Sequence, residues 1–281
     1  MLNICLVYSP TDENGFGHYS RMLALGDEVG RTYHGDSLFY LTTYNNEFDP
    51  TMYDVVVFDV NLENELEKNR FAQKYELARS FNIASFLVTS SSPDTVKTVC
   101  REALLDNGGG LVVLGIPTIG RNGTFANFPI SDSLERFIKF KKYTPTANNK
   151  FIIIPNSQPK LFFDRAAPLI VRLTELGLGI RILPSGTPQN RIFQEMSTAE
   201  LVITTASTTA IEALLLEARV ALVNVSSDQC GIYRTIESIG ANQTSHILTK
   251  GALNSDYLSN VNNLFKGNSI AKRIHEYVFN R

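Results

Sequence analysis

His18 follows two glycines one residue apart and stands three positions ahead of an arginine, in Glu13-Asn14-Gly15-Phe16-Gly17-His18-Tyr19-Ser20-Arg21. An imidazole has an unperturbed pKa near 6.5, so at neutral pH it suits the role of taking a proton from an attacking water or hydroxyl. Gly15 and Gly17 let the backbone approach a ligand. Arg21, one helical turn on, is spaced either to pair with a carboxylate or phosphate or to form a salt bridge between domains. A second stretch, Ile203-Thr-Thr-Ala-Ser-Thr-Thr-Ala-Ile-Glu212, carries hydroxyls from a strand onto a helix start, where N–H groups, hydroxyls and the helix dipole can face a diphosphate. Glu212, a turn further in, is placed to accept hydrogen bonds from the two ribose hydroxyls of a nucleotide. Thr209-Ala-Ile-Glu212 is equally a capping box, in which Glu212 serves only its own helix.

The elements that position these residues follow from the apolar pattern. Leu2–Tyr8 is a β-forming run broken by Ser9-Pro10, and from Tyr19 the apolar positions Met22, Leu23, Leu25 and Val29 recur at helical spacing. His18 thus sits at the mouth of the first helix, behind a strand and a glycine loop. The dinucleotide fingerprint requires a third glycine, and position 20 is serine; the plain alternative is a tight turn capped by a histidine. Runs at 37–43, 54–59, 83–89 and 111–114 read as strands between helices such as 65–81 and 102–107, which predicts a parallel sheet with active-site groups at its carboxyl ends. Asp59 lies at one such end, where it reads either as a cleft residue or as a loop carboxylate or cap. The pattern lapses from about 118 to 150, with the basic, proline-broken stretch 139–150 read as a connection. It then restarts, with strands at 151–154, 179–183, 201–204 and 220–225 and helices at 164–176, 189–196 and 210–217.

The two motifs also carry a resemblance. Gly15-Phe-Gly-His-Tyr-Ser-Arg-Met-Leu-Ala-Leu25 resembles the G-x-G-H-x-x-R-x-L-x-L opening of the UDP-sugar hydrolase of pseudaminic acid biosynthesis and of related GT-B glycosyltransferases. The second stretch is similar to that hydrolase's nucleotide-binding segment, S-A-S-S-x-x-x-E-A-L-L-L followed by N-Q, and to the G-G-x-x-T-x-x-E and D-Q of the glycosyltransferases. The resemblance implies that His18 activates water and that Ser207, Thr208 and Thr209 contact phosphate. It further implies that Glu212 holds the ribose and that Asp228 and Gln229 touch the sugar or phosphates; otherwise Asp228 and Gln229 read as a loop and a helix cap. Pro155-Asn-Ser-Gln-Pro159 stands where many members of the family carry a G-G-x-D turn.

Composition bounds the rest. A chain of 281 residues with 43% hydrophobic residues supports two domains, each with its own core. The net charge of −2, with no basic cluster interleaved with aromatics, argues against nucleic acid. No leader pattern and no run of roughly 18 apolar residues points to the membrane, so a soluble cytoplasmic protein is expected. Cys5, Cys100 and Cys230 are expected to be free thiols, and His34, His246 and His275 fall at no zinc-like spacing.

The expected fold is α/β and GT-B-like, with Rossmann-like domains over 1–145 and 146–281 facing a central cleft. The first carries the catalytic histidine and the second the nucleoside diphosphate. Lacking Asp-x-Asp, the chain is expected to hold the leaving diphosphate on helix N-termini with no metal and no cofactor. The expected activity is hydrolysis of a nucleotide-sugar, UDP-linked in the first instance, with His18 as general base. The alternatives are a glycosyltransferase with a sugar, lipid or protein acceptor and a noncatalytic nucleotide-sugar-binding protein.

Overall fold

The computed structural model describes residues 2–9, 17–32, 37–89, 91, 95, 98, 111–115, 132–140, 151–155, 158–184, 186–226, 229–253 and 274. The chain divides into two compact units, one of Met1–Thr118, Phe125–Asp132 and Gly267–Arg281, the other of Ile119–Thr124 and Ser133–Lys266.

In the first unit the described elements run β1 (Leu2–Tyr8), α1 (Gly17–Thr32), β2 (Ser37–Thr43), β3 (Val55–Asp59), α2 (Glu65–Ser80), β4 (Ala84–Thr89) and β5 (Leu111–Gly115). The strands form one parallel sheet in the order β2-β1-β3-β4-β5. Every residue of β3 is buried, as the central strand of a parallel sheet covered on both faces must be, which is why its sequence Val-Val-Val-Phe-Asp is a continuous run and not an alternation. α1 turns Met22, Leu25 and Val29 inward and packs on β1 and β2. α2 is opened by Asn64, whose side chain accepts from the Leu66 and Glu67 amides, and it buries Glu67, Phe71, Tyr75 and Ala78 along one stripe. Phe58, Phe71 and Tyr75 form the aromatic centre of this core. The helix expected at 102–107 lies outside the described residues.

The second unit contains α3 (Asp132–Phe140), β6 (Phe151–Ile154), α4 (Pro159–Glu175), β7 (Ile180–Ile182), α5 (Gln189–Thr198), β8 (Leu201–Thr205), α6 (Thr208–Leu215), β9 (Arg219–Val223), α7 (Cys230–Ser238) and α8 (Thr244–Lys250). Its sheet is parallel, in the order β7-β6-β8-β9. Phe151, Phe162, Leu169, Leu201, Ile203 and Ala221 are among the buried residues of its core.

Several elements differ from the sequence expectation. The stretch read as losing its pattern contains α3, which brings Phe137 against Phe193 of α5, ring centroids 5.9 Å apart. α4 starts at Pro159, five residues before the expected 164, because proline lacks only an N–H that a helix's first residue would leave unpaired. It then continues through Pro168. α6 starts at Thr208, two residues before the expected 210, and that shift bears on the role of Glu212.

Candidate functional site

In the order β2-β1-β3-β4-β5 the crossovers leave β1 and β3 in opposite senses, and the carboxyl ends of such a pair are where doubly wound sheets bind ligands. β1 and β3 are in register with Tyr8 opposite Asp59, so β1 ends beside the residue that ends β3. His18, the second residue of α1, places Nδ1 2.8 Å from Asp59 Oδ1. Arg21, one turn along, donates from Nε to Asp59 Oδ2 at 3.0 Å and from Nη2 to Oδ1 at 2.8 Å, a two-pronged grip on the carboxylate. Asp59 is fully buried, and His18 and Arg21 are 3% and 5% exposed.

Burial alone drives the Asp59 carboxyl upward, but the positive charges of Arg21 and His18 and the hydrogen bonds both donate outweigh it and hold the pKa at about 2. Asp59 is therefore a carboxylate at any neutral pH, an acceptor only. In either protonation state Nδ1 carries a hydrogen toward Asp59, because two bare acceptors 2.8 Å apart would repel. Arg21 Nη2 lies 3.0 Å from the same nitrogen, but with hydrogens on both atoms that approach is a contact and not a bond. Among the described residues Nε2 has no hydrogen-bond partner. A histidine whose Nδ1–H is held by a buried carboxylate and whose Nε2 keeps its lone pair is arranged as a general base. Arg21, expected to pair with a carboxylate or phosphate or to bridge domains, grips the Asp59 carboxylate within its own unit.

The corresponding point in the second unit lies between β6 and β8. Thr204 Oγ1 donates to the Ile154 carbonyl at 2.9 Å, tying the two strand ends together. Ser207 is the N-cap of α6 in extended conformation, with no side-chain cap bond. The amides of Thr208 and Thr209, in the first turn of α6, have no acceptor inside the helix. The hydroxyls of Thr205 and Thr208 are buried with no hydrogen-bond partner among the described residues. Glu212 lies four residues after Thr208, on the same face of α6, and burial pushes its carboxyl from 4.5 to about 8. The capping box is not formed: the cap is Ser207, which puts Ala210 at the third helical position and Glu212 two residues beyond it. Gln229 is the N-cap residue of α7 without a side-chain cap bond, and it is buried, its carboxamide oxygen accepting from the Val225 amide at 3.5 Å. In the turn after β6, Gln158 takes the left-handed conformation at φ 45°, a strained geometry for a non-glycine residue. Gly17 opens α1, whereas Gly15 and Asp228 lie outside the described residues.

The sequence pattern brings His18 to Arg21 and groups Thr208, Thr209 and Glu212; it does not show that Asp59 holds His18 or that Thr205 belongs with the hydroxyls of α6. A carboxylate at a strand end and a second threonine closing β8 are the only signals of either. Among the described residues no group of histidine, cysteine, aspartate or glutamate is placed to hold a metal ion, and no helix is long and apolar enough to cross a membrane.

Two consecutive α/β units, each a parallel sheet wound from β-α-β crossovers, define a GT-B-like fold. The chain is similar over 99% of its length to the glycotransferase of kitacinnamycin, covering 98% of that chain at 11% identity and a TM-score of 0.59. It is likewise similar to the spinosyn rhamnosyltransferase SpnG complexed with spinosyn aglycone, with 99% and 100% of the two chains covered, 13% identity and a TM-score of 0.56. At such identities the likeness is one of fold. No family model and no curated protein matches the sequence.

Proposed function

We propose that the protein is an enzyme of glycosyl transfer that hydrolyses a nucleotide-sugar, with UDP as the nucleotide, and that His18 is its general base. The observation that carries the reading is the 2.8 Å contact of His18 Nδ1 with the buried carboxylate of Asp59. The water oxygen attacks the anomeric carbon while its proton passes to His18 Nε2, and the bond from that carbon to the phosphate oxygen breaks with its electron pair leaving on the diphosphate. Asp59 keeps the imidazole in the required tautomer and stabilises the imidazolium that forms. A base so placed contributes roughly 100- to 10,000-fold. The first turn of α6, with Ser207, Thr208 and Thr209, receives the diphosphate, and Glu212 the ribose hydroxyls. The buried hydroxyls of Thr205 and Thr208, which have no hydrogen-bond partner among the described residues, are available to such a ligand.

A second reading, transfer to a sugar, lipid or protein hydroxyl, is favoured by the likeness to two structures named as transferases. One experiment separates the two. The protein is incubated with a panel of UDP-linked amino- and deoxy-sugars in water enriched in heavy oxygen. Hydrolysis is expected to release UDP and free sugar carrying the label. Release that requires an added acceptor replaces hydrolysis by transfer, label in the phosphate replaces attack at carbon by attack at phosphorus, and binding without release under either condition makes the protein a noncatalytic binder.

A further inference from the structure

Glu67 has the spacing to cap its own helix: Asn64 opens α2 and Glu67 stands three residues on, where a glutamate ordinarily reaches back to the N-cap amide. It does something else. Its Oε2 accepts from the hydroxyl of Ser9, the first residue beyond β1, and at 3.0 Å from the amide of Asn61, two residues beyond β3. The N-cap amide it leaves aside donates to the Asn61 carbonyl at 3.2 Å. Ser9 and Glu67 are fully buried and Asn61 is nearly so. The two chain segments joined are those that leave β1 toward His18 and β3 just past Asp59, strands already in register at Tyr8 and Asp59. The far side of the β3 exit is fixed separately, by Thr89 Oγ1 donating to the Val60 carbonyl at 2.8 Å and by the Leu62 amide donating to Ser91 Oγ at 2.8 Å. Glu67 is thus the described link that fastens this anchored exit to the exit of β1 through one oxygen.

Resting on the His18–Asp59 pair as the reaction centre, we infer that Glu67 is a positioning residue: its carboxylate clamps the exits of β1 and β3 together and so sets the His18–Asp59 hydrogen bond. It touches neither reacting group. Its effect comes through the ends of β1 and β3, and a displacement of about 1 Å in a catalytic pair is enough to cost roughly 100-fold in rate.

The test reads the pair itself, in the free protein, by following the Nδ1 proton of His18 with nitrogen-15 NMR. The native protein is expected to show a low-field Nδ1 proton protected from solvent exchange. Glu67→Ala should lose that signal and, on a UDP-sugar that the native protein hydrolyses, lower kcat by roughly tenfold to 100-fold with KM little changed. Glu67→Gln, which keeps an oxygen able to accept from both Ser9 and Asn61, should restore the signal. Ser9→Ala opens one arm alone and should speed exchange of the same proton. A Glu67→Ala protein that folds and keeps the native signal overturns the inference. Should that variant not fold, an unchanged exchange rate in Ser9→Ala overturns it. A native protein that hydrolyses no nucleotide-sugar yet shows the signal, and loses it in Glu67→Ala, overturns the proposed function and leaves the clamp standing.

Discussion

His18 and Asp59 are 41 residues apart in the chain and joined side chain to side chain, Nδ1 to Oδ1, at 2.8 Å. The join depends on β1 and β3 being neighbours in the sheet although β2 lies between them in sequence, and on α1 beginning near enough to β1 for its first turn to face the end of β3. His18→Ala is therefore expected to keep UDP binding, read by calorimetry, and to lose turnover by roughly 100- to 10,000-fold. Asp59→Asn keeps the shape of the pair but offers Nδ1 a donor as readily as an acceptor, which frees the imidazole to take the other tautomer; a loss on the order of 10,000-fold in kcat is expected. Native rates in either variant would remove His18 from the mechanism.

Acid should unfold the first unit through the same carboxylate. Asp59 has its pKa lowered from 3.8 to about 2 in the folded protein, so the folded state binds fewer protons than the unfolded state between those values. The stability this contributes is present in full above about pH 4 and is lost as pH falls through 2, and it amounts to about 2 kcal/mol. Urea midpoints measured from pH 7 down to pH 2 should fall through this window in the native protein and fall less in Asp59→Asn. Parallel curves would show that Asp59 is no more strongly held than a surface carboxylate.

Glu212 carries the opposite sign. Burial raises its pKa from 4.5 to about 8, so its contribution to stability is present below pH 4.5 and is lost as pH rises through 8. Glu212→Gln, which cannot ionise, should therefore raise the melting temperature of the free protein more at pH 8 than at pH 5, and it should weaken UDP binding. A variant that loses stability equally at both pH values and binds UDP as tightly as the native protein would return Glu212 to a purely structural role.

What the sequence made legible is what burial on two sides makes obvious. The runs at 2–8, 54–59, 151–154 and 201–204 read as strands because both faces of a covered parallel sheet demand apolar residues. α7 and α8 lay unread: Cys230–Ser238 has a glycine at its second position, and Thr244–Lys250 is a short helix with few apolar residues. Ser133–Phe140 carries an amphipathic pattern, but its lysine-rich continuation and the prolines around it look like a linker. The role of Glu212 turned on where β8 ends, since a two-residue change in the start of α6 separates a capping box from a half-buried acid. Asp59 was visible as a strand-end carboxylate; its pairing was not, because register between strands distant in sequence leaves no local mark.

Catalysis should need no divalent metal, since the leaving diphosphate is assigned to the first turn of α6 and to hydroxyls. Turnover measured after exhaustive EDTA treatment should equal that of the untreated protein. Loss of activity with EDTA and recovery on adding magnesium or manganese would assign the diphosphate to a metal.

Thr208 separates a ligand's needs from those of the fold. Its hydroxyl is buried and has no partner among the described residues, and a buried polar group left unsatisfied costs about 1–3 kcal/mol. Thr208→Val keeps the shape and removes that group, so the free protein should become more stable, by about 1 kcal/mol, with a higher melting temperature. If the hydroxyl instead waits for phosphate, the same variant should bind UDP roughly tenfold more weakly, the loss of one hydrogen bond to a charged acceptor. Stability and affinity are thus expected to move in opposite directions, which a residue serving only the helix would not produce: a structural threonine would lose stability and leave UDP affinity untouched. Melting curves with and without UDP read both quantities on one sample, and a Thr208→Val protein that gains stability yet binds UDP like the native chain would detach the diphosphate from the start of α6.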